Sequence, residues 1–170
     1  MRTGRTVALC FGLSLLACGG AAAAAEPPAN PAFEKLKTLV GTWETKTPHG
    51  RSTVSYEVVS AGSALLERIG GDEHKEMDMV TMYHPDGGKV LMTHYCSAKN
   101  QPRMKAENAG KDASTITFSF VDVTNLSAPD AGHMAGLVVK FEDESHFTQE
   151  WKWKDKSGEK VEVFRWTRTK

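Results

Sequence analysis

Cysteine is scarce in this chain, with 3 in 170 residues, and two of them, Cys10 and Cys18, fall in the first eighteen positions. Only Cys96 is left for the body of the protein, so no disulfide framework is available and stability must come from a packed core. Neither sign of charge is in excess, because 21 Lys and Arg balance 21 Asp and Glu. The two signs are interleaved, which removes the basic footprint that a phosphate backbone requires and argues against nucleic acid as a partner. No apolar run is long enough to span a bilayer as a helix. The Gly-x-Ser-x-Gly elbow, the His-Glu-x-x-His pair and the phosphate-binding glycine loop are all missing. No catalytic residue, metal ligand or cofactor is assigned on the sequence, and an enzymatic function is not expected.

What is present begins with an export signal. Arg2 and Arg5 precede a short apolar stretch, residues 7–17, in the pattern of a secretory signal peptide. Its end, Leu15-Leu16-Ala17-Cys18, resembles the bacterial lipobox, in which the cysteine becomes the lipidated first residue of the mature protein. Cleavage among the small residues 21–25 is the alternative and would release a soluble protein. The expected organisation is a signal peptide over residues 1–18, a Gly, Ala and Pro-rich tether over 19–29, and a single β-barrel domain over 30–170. Such a protein belongs in the periplasm or cell envelope, held to the membrane if Cys18 is lipidated.

Within the domain, Asn30-Pro31 offers a helix cap followed by a proline at the first helical position, and Phe33, Leu36, Leu39 and Val40 recur at helical spacing up to Gly41. Beyond Gly41 the periodicity switches to two. Strands are expected at 41–47, 52–60, 63–69, on both sides of Pro85-Asp86-Gly87-Gly88, at 103–108, around Ile116, Phe118 and Phe120, around Leu137, Val139 and Phe141, around Phe147, Gln149, Trp151 and Trp153, and at 159–169. The fold class is therefore all-β, an antiparallel up-and-down barrel of about ten strands with one short N-terminal helix plugging an end. Closure also removes exposed strand edges. A two-sheet sandwich is the other solution, disfavoured by the scarcity of long crossovers.

The short helix followed by Gly41-Thr42-Trp43 resembles the Gly-x-Trp signature of the calycin superfamily, the lipocalins, fatty-acid-binding proteins and nitrobindins. That resemblance implies a barrel in which an arginine of the last strand lies across the tryptophan at the closed end. Arg165 shares its parity with Val161 and Val163 and is the residue expected to pack on Trp43. Nitrobindins carry haem on a histidine near the C-terminus and open with Gly-Thr-Trp-x-Gly-x-Gly. This chain reads Gly41-Thr42-Trp43-Glu44-Thr45-Lys46-Thr47 and has no histidine in its last strand, so no haem is expected. The segments Tyr83-His84, His94-Tyr95-Cys96, residues 100–104, residues 130–134 and Glu162-Val163-Phe164-Arg165 resemble an uncharacterised group of bacterial secreted proteins.

The richest stretch runs from Met77 to Met104, with five of the 7 methionines, two of the 6 histidines and Cys96. If Asp86-Gly87 forms the turn, Tyr83 faces Val90, Thr81 faces Met92, Met79 faces His94 and Met77 faces Cys96, all on one side of the sheet. Three readings stand. The side chains fill the core, with methionine as adaptable packing. Alternatively they line a cavity for a small, partly apolar or acidic ligand, with Tyr56, Met79, Met92, Cys96 and Trp151 as apolar wall and His94, Asn100, Arg103 and Gln149 orienting a polar head group. The third reading is a soft-metal site for copper(I).

Overall fold

A computed structural model describes residues 29–47, 50–71, 78–106 and 113–169. The signal peptide with Cys18, most of the tether and Met77 lie outside the described residues.

Among the described residues one α-helix and ten strands follow each other: α1 (Pro31–Lys37), β1 (Gly41–Thr47), β2 (Gly50–Val59), β3 (Ala64–Gly71), β4 (Met79–Asp86), β5 (Lys89–Tyr95), β6 (Gln101–Ala106), β7 (Thr115–Thr124), β8 (His133–Phe141), β9 (His146–Asp155) and β10 (Gly158–Arg168). Each strand pairs antiparallel with its neighbours in sequence, and β10 returns to β1 to close the barrel. The all-β barrel with one short helix is thus the architecture observed.

The helix is held where the sequence places it. The Asn30 side chain accepts a hydrogen bond from Phe33 N at 3.0 Å, capping the first turn, and its Nδ2 donates to the carbonyls of Gly87 and Lys89, each at 2.9 Å. One residue therefore caps α1 and pins it to the β4–β5 turn. Phe33, Leu36 and Leu39 are buried in the barrel end, while Val40 points to solvent. The Trp43 indole donates to Leu39 O at 2.8 Å, so the first strand is latched to the plug above it.

Three expectations are corrected. The β4–β5 turn is formed by Gly87 and Gly88, with Asp86 opposite Lys89, so Tyr83 faces Met92 and Thr81 faces His94. The shift is two residues, an even number, and the set sharing the inner face is preserved. Phe120 does not point inward: a register shift at Arg103/Met104 bulges β7, and the ring is exposed against His133. The third correction is the parity of the last strand. Val161, Val163 and Arg165 face outward, and Phe164 and Trp166 face in. Two aromatic rings gain more from burial than two valines, and they decide the parity.

The arginine over Trp43 is consequently Arg168. Trp43 and Arg168 are cross-strand partners at the β1–β10 seam, and the guanidinium lies 3.9 Å from the ring centroid. Its nitrogens also donate to Thr38 O, Val40 O and Glu144 O at 2.9, 2.8 and 2.8 Å. Arg168→Ala should therefore lose about 2–4 kcal/mol of folding stability, from the hydrogen bonds and the cation–π contact together, whereas Arg165→Ala stays within about 0.5 kcal/mol. Urea unfolding of the two variants measures the difference, and equal costs would refute the assignment.

Candidate functional site

Four neighbouring strands place one polar residue each on the inner face in the same row. Tyr56 of β2 is opposite Glu67 of β3, Glu67 is opposite Thr81 of β4, and Thr81 is opposite His94 of β5. Side chains directly opposite on one face stand about 5 Å apart, close enough for contact all along the row. All four are buried. The local pattern places Glu67 there: Leu65, Glu67 and Ile69 share one face of β3, and Leu65 is fully buried.

Every group around Glu67 is a donor. Tyr83 Oη donates to its carboxylate at 2.7 Å, Gln149 Nε2 at 3.1 Å and Thr81 Oγ1 at 3.3 Å. The direction of the network is fixed from its far side, because the indole N–H of Trp166 can only donate, and it donates to Gln149 Oε1 at 2.9 Å. The Gln149 amide nitrogen is then the end that faces Tyr56 Oη, at 3.0 Å, and Glu67. Tyr56 Oη accepts from Gln149 and turns its own proton to Glu67. Burial pushes the Glu67 carboxyl above its ordinary range, and the hydrogen bonds from Tyr56, Tyr83, Thr81 and Gln149 pull it back. Burial, and then the charge of Glu67, hold the Tyr56 and Tyr83 phenols well above their usual values, so both remain protonated donors.

The row ends at His94. Its Nδ1 is 2.9 Å from Thr81 Oγ1, and the imidazole lies against Trp151 with ring centroids 4.6 Å apart. Burial lowers its pKa to about 4, so the ring is neutral near neutral pH. Among the described residues His94 Nε2 has no hydrogen-bond partner, nor does Trp151 Nε1, nor Asn100 Oδ1, although all three atoms are buried. Asn100 sits where β5 turns into β6, its backbone carbonyl accepting from Cys96 N at 3.1 Å and its Nδ2 donating to Gly132 O at 2.9 Å. The β5–β6 register places Asn100 on the same face as Met104 and toward the end of the barrel away from α1.

The sequence-based candidates therefore divide. Tyr56, Met92, His94, Asn100, Gln149 and Trp151 are buried within the barrel. Met79 is half-buried, its sulfur accepting from Ser97 Oγ at 3.7 Å, and Cys96 is a half-buried free thiol just beyond β5. Arg103 does not join them. It is exposed on the outer face of β6 and forms a two-pronged pair with Asp122, which holds the Asp122 carboxyl below its usual range. Arg165 is exposed on β10. Glu67 was missed, and the signal for it was the Leu65, Glu67, Ile69 parity. Among the described residues no three His, Cys, Asp or Glu side chains gather as a metal-holding group.

No known family model and no curated protein sequence matches this chain. Among solved structures it is similar to the crystal structure of Rv2717c from M. tuberculosis, at a TM-score of 0.56 and 12% identity, over 84% of this chain and 100% of that one. At that identity the likeness speaks for the barrel fold alone.

His94 also sets a pH dependence. Its folded pKa of about 4 lies below the 6.5 of an exposed imidazole, so the unfolded chain takes up a proton first as pH falls. The stability it protects is complete above pH 6.5 and is lost toward pH 4. Glu67, raised by burial, acts oppositely, its contribution fading as pH rises above its ordinary value. His94→Gln isolates the first effect: on going from pH 7 to 4.5 the variant should lose roughly 2 kcal/mol less stability than the wild type. Parallel losses in denaturant titrations at the two pH values would contradict a neutral, buried His94.

Proposed function

We propose that this chain is an exported, calycin-type binding barrel that holds a small, partly apolar ligand at the end opposite α1. Trp151 supplies the apolar seat, Met79 and Cys96 flank it, and His94, Trp151 and Asn100 present polar atoms to the ligand's head group. The observation that carries this reading is the set of three buried polar atoms without partners. Each such atom costs about 1–3 kcal/mol if left unsatisfied, and a ligand with matching groups removes that cost. The closed half cannot serve, since Met92, Met104, Phe118, Leu137 and the Glu67 network fill it.

That filled half also supports a second reading, an envelope lipoprotein whose barrel is a rigid body, with ordered water on the three free atoms. Titration with N-phenyl-1-naphthylamine separates the two. The binding barrel gives saturable, one-to-one fluorescence enhancement, weakened tenfold or more by Trp151→Ala and by His94→Gln, and unchanged by Arg103→Ala. Absence of saturable enhancement in the folded wild type would remove the binding function. Membrane anchorage through a lipid on Cys18 is part of the proposal. Mass spectrometry of the mature N-terminus should show a diacylated or triacylated chain beginning at Cys18, and an unmodified chain beginning near Glu26 would replace it with a soluble form.

A further inference from the structure

The polarity of the hydrogen-bond network goes beyond the presence of a site and specifies what kind of head group the site takes. We propose that the ligand's head is a non-anionic hydrogen-bond donor, such as a primary amide or an alcohol, and that carboxylates and phosphates are discriminated against; this rests on the binding reading above.

The proton directions follow from two groups with no alternative, the Trp166 indole, which only donates, and the Glu67 carboxylate, which only accepts. The indole N–H fixes the Gln149 amide, the amide fixes Tyr56, and Tyr56, Tyr83, Gln149 and Thr81 all spend protons on the Glu67 carboxylate. Thr81 has a single hydroxyl proton, and the ionised Glu67 carboxylate, 3.3 Å away, is the neighbour that can only accept it. Thr81 Oγ1 must then accept at its 2.9 Å contact with His94 Nδ1, which places the imidazole proton on Nδ1. His94 Nε2 is left as a bare lone pair with no partner. The Asn100 amide is oriented in the same way. Its Nδ2 faces the Gly132 carbonyl, which can only accept, so the free atom is the acceptor Oδ1.

The free atoms are thus two acceptors, His94 Nε2 and Asn100 Oδ1, and one donor, the Trp151 indole N–H, with the His94 and Trp151 rings 4.6 Å apart. Charge points the same way. Among the described residues no Lys or Arg is buried, and the one buried carboxylate, Glu67, has only neutral donors around it. Arg103, the cation that would have welcomed an acid, is turned outward and engaged by Asp122. A carboxylate head would bring a second negative charge into the interior and place its lone pairs against those of His94 and Asn100, with one indole N–H to receive it. An amide can offer an N–H to an acceptor and its carbonyl to the Trp151 indole.

Displacement of N-phenyl-1-naphthylamine by octanamide, octanol and octanoate at pH 7.5 tests this with the apolar chain held constant. Octanamide and octanol should compete at least tenfold more strongly than octanoate. Thr81→Val should shrink the preference, and Thr81→Ser, which keeps the hydroxyl, should retain it. Octanoate competing as well as octanamide would overturn the head-group assignment and leave the binding reading intact. Failure of the probe itself to bind is the separate outcome that removes both. An independent measurement needs no ligand: the 15N signals of His94 in the folded protein should show the proton on Nδ1 and Nε2 bare between pH 5.5 and 7.5. A proton on Nε2 would overturn the assignment whatever the competition shows.

Discussion

A carboxylate buried at the centre of the barrel, with no cation beside it among the described residues, is the constraint on which the interior depends. Glu67 is stabilised only by donated hydrogen bonds, and it draws them from β2, β4 and β9 as well as from the facing threonine. A buried charge without such donors would cost several kcal/mol. Each neighbour is consequently held as a donor toward the one carboxylate. Hydrophobic residues of similar volume at these positions would commonly be neutral or stabilising. What the polar row adds is direction: the Glu67 carboxylate takes the Thr81 proton and so leaves Thr81 Oγ1 to accept from the ring of His94.

The α1 end of the barrel is governed by a cation. Helix α1 leaves carbonyls without partners at its C-terminal end, and a cationic group there satisfies them and complements the helix dipole. Arg168 does so for Thr38 O and Val40 O while lying on Trp43, at the seam where β10 meets β1. Plug, first strand and last strand meet on this one side chain. The barrel therefore has a sealed end fixed by a charge on an aromatic ring and an opposite end where polar atoms remain unpaired.

The sequence revealed more of the fold than of the site, for identifiable reasons. Asn30-Pro31 and the period-two alternation are local signals, and both α1 and the ten-stranded barrel follow from them. Register depends on turn chemistry, and Pro85-Asp86-Gly87-Gly88 contains two plausible turns two residues apart; the even offset kept Tyr83, Thr81, Met92 and His94 on one face. In β10 both parities carry apolar residues, Val161 and Val163 on one and Phe164 and Trp166 on the other, so alternation alone chose wrongly and took Arg165 with it. Arg103 could not be placed from its neighbours, because its partner Asp122 is nineteen positions away on the adjacent strand. Glu67 was legible in principle from Leu65 and Ile69, but a carboxylate facing a core runs against the usual pattern unless its donors are known, and those come from three other strands.

The same nonlocality explains why a cluster of methionine, histidine and cysteine on one hairpin misdirects attention. Met92 and Met104 are core packing, and Cys96 stands at the edge of the interior. The chemistry of His94 is set from β3 by Glu67, acting through Thr81, residues that no motif links to it. Removing Thr81 Oγ1 would leave His94 packed against Trp151 yet free to carry its proton on either nitrogen, since nothing else holds Nδ1. Packing positions the ring, but only the hydrogen-bond chain distinguishes its two nitrogens, and that distinction decides whether the buried end of this barrel accepts a proton or offers one.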